Sequence, residues 1–92
     1  MEPICIWDMP DDPEGNVAHI EEHGITQDEV EDVVQNPRNS TDISESSGRP
    51  CTFGWTDTGK HIQVVWEHVC DDPRMIRPIT AYEVPERRRR RR

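Results

Sequence analysis

The sequence predicts an α+β domain in which two N-terminal helices pack on a small antiparallel sheet. Two features carry that prediction. Residues 26–35 open with Thr26-Gln27-Asp28-Glu29, a capping box with Thr26 as N-cap and Glu29 three positions on, and Val30, Val33 and Val34 follow on one face. Downstream, residues 53–70 (FGWTDTGKHIQVVWEHVC) read as two strands around a tight Thr56-Asp57-Thr58-Gly59 turn. Ile62, Val64 and Trp66 there alternate with His61, Gln63 and Glu67, as in a half-buried strand. Strands before helices and a strand meander after them give two layers rather than a parallel βαβ array.

The elements follow in chain order. Ile4-Cys5-Ile6-Trp7 suits a first strand, anchored by Trp7. Acids and two prolines break it over residues 8–13. A first helix then begins with Asp12 as N-cap and Pro13 in its opening turn, and runs to about His23 before Gly24. Asn16, His19, Ile20 and His23 share one helical face, with His19 expected to be partly buried. The second helix is stapled by Ile25 and Val30 and ends near Gln35, ahead of Asn36-Pro37. Residues 38–50 (RNSTDISESSGRP) are dense in Ser, Asn, Asp and Gly and read as a loop. After the two strands of residues 53–70, a turn at Asp71-Asp72-Pro73-Arg74 leads into a last strand at 75–84. The expected sheet is therefore an N-terminal strand plus a three-stranded C-terminal meander, all in one domain, 1–86.

Composition narrows the chemistry. Only 32% of the 92 residues are hydrophobic, so the core is thin, and a partner chain or self-association is expected. No run is long and apolar enough to span a membrane, and no membrane partner is expected. Three cysteines without CxxC spacing point to reduced thiols, small core residues of a cytoplasmic protein. Six of the eleven basic residues form the arginine run 87–92. Without them the chain holds five Lys and Arg against nineteen Asp and Glu, a net −14. Such a body repels phosphates. The run itself reads as an added tag or as a native tail, either an RNA-contacting arm or an electrostatic latch for another chain, and a like-charge block of this kind is expected to be disordered.

Several stretches taken together resemble the BrnT family, the toxin half of a bacterial type II toxin–antitoxin pair. They are Trp7-Asp8, then Asn16 leading into HIEEHGIT (19–26), DEVEDVVQNP (28–37), TFGWTDTGKHIQVVW (52–66) and IRPITAYE (76–83). The resemblance implies a RelE-like fold, a metal-independent endoribonuclease that stops translation, and a cognate antitoxin that neutralises it. It maps His23 onto the family's histidine before glycine and Arg77 onto the first arginine of the last strand. Lys60 and His61 fall after the turn where the family often has a basic residue. Departures are equally plain. Glu22 stands where the family has lysine, and Tyr82 and Glu83 stand at positions that are basic in the family.

Metal-free RNA cleavage needs a base for the 2′-hydroxyl, an acid for the leaving oxygen and a cation for the phosphorane. His23 suits acid or base, or is a helix C-terminal histidine favoured by the macrodipole. Arg77 suits a bidentate grip on phosphate, or pairs with one of the many acids. Tyr82 suits proton donation or base stacking, or is strand packing; Lys60, beside the turn, is expected to be solvated. His19 and His23 have the i, i+4 spacing of zinc ligands, but Ile20 stands where a zincin has its glutamate, so no metal and no cofactor is expected. Two classes stay open: a BrnT-like ribonuclease using His23, Arg77, Tyr82 and Lys60, and a non-catalytic descendant of that fold used as a binding protein.

Overall fold

The fold was taken from a computed structural model that describes residues 2–44 and 47–86. Its elements in order are β1 (Ile4–Cys5), α1 (Asn16–Glu22), α2 (Gln27–Val34), β2 (Thr41–Ile43), β3 (Pro50–Trp55), β4 (His61–Asp71) and β5 (Arg74–Glu83). They form one five-stranded sheet in the order β1-β5-β4-β3-β2, antiparallel except for β1, which runs parallel to β5. The arginine run 87–92 lies outside the described residues.

The expected α+β architecture with two helices is present, and the meander is β3-β4-β5. The sheet has one strand more than the four expected. Thr41–Ile43, inside the segment read as a loop, pairs antiparallel with the start of β3 through Thr41↔Thr52, Asp42↔Cys51 and Ile43↔Pro50. A three-residue strand with every side chain exposed carries no alternation to detect. As a sheet edge it is short and self-blocked, because the Asp42 carboxylate accepts from the Ile43 N–H at 2.9 Å.

Three boundaries also differ, the first being β3, which begins at Pro50 rather than Phe53 because Pro50–Thr52 pair with β2. Helix α1 begins at Asn16 with Gly15 as N-cap, not at Pro13. Asp12 instead folds a tight turn, its carboxylate accepting from the Glu14 N–H. Strand β1 stops at Cys5, so Trp7 lies outside the sheet, half-buried against the core with its indole N–H on Glu31 at 2.9 Å. His19 is exposed rather than partly buried.

The capping box stands as expected. Glu29 N–H donates to Thr26 Oγ1 at 3.2 Å, and Thr26 N–H to Glu29 Oε1 at 3.0 Å. Ile25 and Val30 flank it, fully buried. Gly24 and Gly59 take positive φ (76° and 91°), ending α1 and closing the β3–β4 turn where a Cβ would be strained. One face of the sheet supplies Ile62, Val64, Trp66, Ile76 and Ala81 to the core, against Ile20, Val30 and Val33 of the helices. Among the described residues no helix is long and apolar enough to cross a membrane.

Candidate functional site

The four candidate residues fall into two places. His23 is the C-cap of α1, held by its N–H on Ile20 O at 3.0 Å. Its ring lies 5.8 Å from that of Tyr82 on β5, tilted by 55°. Lys60 enters the same neighbourhood from the β3–β4 turn, with Nζ 2.7 Å from Gly24 O. Arg77 is five residues upstream of Tyr82 on β5, roughly 15 Å along the strand, and does not join them.

Lys60 is not the solvated lysine the sequence suggests. Besides Gly24 O it lies 3.2 Å from Glu29 Oε2. Glu29 is 3% exposed. Burial pulls the Glu29 carboxyl up, but hydrogen bonds from the Thr58 hydroxyl, the Thr26 N–H and Lys60 outweigh it and hold the group below the usual range. The lysine is thus the counter-charge of a buried carboxylate that caps α2.

Arg77 is committed in the same manner. Its Nη1 and Nη2 donate to Asp8 Oδ1 and Oδ2 at 2.7 and 2.8 Å, a bidentate fork, and Nε lies 4.0 Å from Glu67. Asp8 also accepts from the Asn16 N–H at 2.9 Å, while Asn16 Oδ1 accepts from the Asp8 N–H at the same distance. Asn16 Nδ2 then donates to both Ile6 O and Pro78 O. Asn16 is 2% exposed, so this amide ties the N-terminal segment, α1 and β5 together at one buried point. Asn16 was visible as a helix-face residue and Asp8 through the resemblance, but no spacing rule pairs residues so far apart in sequence with Arg77.

The fork from Arg77, then the Asn16 N–H, hold the Asp8 carboxyl down to about 2, against its ordinary 3.8. A carboxyl depressed in the folded state contributes stability that is complete above its unfolded pKa and disappears as pH falls through the folded one. Urea midpoints measured from pH 5 to pH 2 should therefore fall across the interval between about 4 and about 2. Asp8→Asn should flatten that part of the profile; an unchanged slope would mean the clasp is not formed in solution.

The other titratable groups offer little nucleophilic chemistry. Burial, reinforced by Glu31, pushes the Cys5 thiol up to about 12, so it stays protonated. Cys5, Cys51 and Cys70 are free; Cys51 is buried as expected, whereas Cys5 and Cys70 are only half-buried. Among the described residues no group of three or more His, Cys, Asp or Glu is arranged to hold a metal ion. A groove of about 610 Å³ runs along α2, lined by Glu2, Asp28, Glu29, Glu31, Asp32 and Asp57, a field that repels phosphate.

No family model, curated protein or solved structure matches the chain.

Proposed function

We propose that this chain is a BrnT-like domain on a RelE-like scaffold that works in the cytoplasm as a protein-binding module rather than as a ribonuclease. The observation that supports this reading is the commitment of both candidate phosphate-gripping cations. Arg77 is forked onto Asp8, and Lys60 sits on Glu29 and Gly24 O. Each would have to abandon a close ionic partner before it met RNA, and the −14 body raises the cost of bringing RNA near.

The second reading is the BrnT-like toxin, a metal-independent endoribonuclease neutralised by an antitoxin. One observation favours it: the rings of His23 and Tyr82 lie 5.8 Å apart, which brings two of the candidate catalytic groups to one place. Induced expression without any partner separates the two. The binding-module reading expects normal growth and abundant folded protein. Growth arrest relieved by His23→Ala or Tyr82→Phe, in soluble folded variants, would overturn it.

A further inference from the structure

The sheet has a second face. Residues that alternate with the core positions of β3, β4 and β5 lie on the sheet face opposite the core cluster, and the ladder places Phe53, Gln63 and Tyr82 side by side on it. The next rung pairs Trp55 with His61, their rings 5.1 Å apart, and Trp55 is 52% exposed. His23 adds its ring beyond Tyr82. Phe53, Trp55, His61 and Tyr82 thus share one face of three strands spaced roughly 4.8 Å apart. There are two ring contacts, Trp55 with His61 and His23 with Tyr82, and Gln63 lies between Phe53 and Tyr82. This shelf is wide enough for a few residues of extended chain. Of α1, the C-cap His23 reaches it through its ring.

We infer that this aromatic shelf is a docking surface and that its occupant is an arginine-rich segment of a partner protein. The inference rests on the binding-module reading and adds the place and the chemistry of the partner. Charge complementarity selects the occupant. Outside the run 87–92 the chain is net −14, these shelf residues include no lysine or arginine, and Lys60, next to His61 in sequence, is held by Glu29. A flat, weakly hydrated guanidinium stacks on Trp, Tyr and Phe faces better than an ammonium does, so arginine is preferred to lysine.

The test titrates an acetylated hexa-arginine amide into the full chain at low salt, following backbone amide shifts by NMR and tryptophan fluorescence. The expected result is saturable binding with shifts centred on Phe53, Trp55, His61 and Tyr82, and weaker binding of hexalysine. Trp55→Ala, at an exposed position, should weaken hexa-arginine by about fivefold, and Trp55→Phe by less. Absence of binding, or binding that Trp55→Ala leaves unchanged with shifts on the acidic groove of α2, would overturn the inference. So would preferential binding of oligouridylate on the shelf. Binding seen only after residues 87–92 are changed to serine would identify the chain's own run as the occupant and overturn the partner assignment. Any of these results without RNA cleavage leaves the binding-module reading standing, whereas cleavage removes that reading itself.

Discussion

Trp66→Ala should remove most of the stability of this domain. Trp66 is 7% exposed, packs in the cluster shared by β4, β5 and the helices, and donates its indole N–H to Thr52 Oγ1 at 2.9 Å. Truncating a buried tryptophan costs about 4 kcal/mol through lost transfer energy and the cavity left behind. A chain of this size has a total of roughly 5–10 kcal/mol to lose. Urea denaturation should show the midpoint collapsing towards zero. Trp66→Phe keeps a six-membered aromatic ring but gives up the pyrrole part of the indole and its hydrogen bond, so its loss should be smaller, about 2 kcal/mol. A loss below about 1 kcal/mol for the alanine variant would mean that the core is not assembled around this ring.

Asn16→Ala should cost about 3 kcal/mol, because it strands the Asp8 N–H and the carbonyls of Ile6 and Pro78 with no replacement partner. Asn16→Asp is the sharper variant. It preserves shape and the acceptor for Asp8 N–H, yet points a carboxylate oxygen at two carbonyl oxygens. It should therefore destabilise at least as much as alanine at neutral pH. Equal stability of Asn16→Asp and wild type would contradict a donating amide at this point. Hydrogen exchange should report the same event as lost protection at the α1–β5 contact in both variants.

These two residues also mark how far the sequence could be read. Trp66 was legible as core, because Ile62, Val64 and Trp66 repeat every second residue and that period survives whatever the strand packs against. The capping box of α2 was legible because Thr26 and Glu29 interact within one helical turn. Asn16 was not, since its amide bonds reach Pro78, distant in sequence, and nothing local specifies that meeting. The same limit hid the pairing of Arg77 with Asp8 and of Lys60 with Glu29; composition implied that Arg77 would find a partner among so many acids, not which one, and Lys60 beside its turn read as solvated. The start of α1 was misplaced because Pro13 and Asp12 are good helix-opening residues that here serve a turn, and Gly15 delays the helix to Asn16. Strand β2 was missed because pairing with β3, rather than any pattern of its own, makes it a strand.

The aromatic shelf shows a different kind of gap. Phe53, Trp55, His61 and Tyr82 each look unremarkable along the chain, and only the register of β3, β4 and β5 assembles them. Candidate catalytic residues were read from the resemblance one at a time, and the structure separates Arg77 from the other three.

The most direct test of the central claim, that the cations are turned inward and the domain binds rather than cleaves, is an RNA cleavage assay on the purified full chain without metal, run beside Asp8→Asn. The account predicts no cleavage above buffer by the wild type over a range of structured and single-stranded RNAs. Cleavage by the wild type that disappears with His23→Ala or Arg77→Ala would contradict it and restore the ribonuclease.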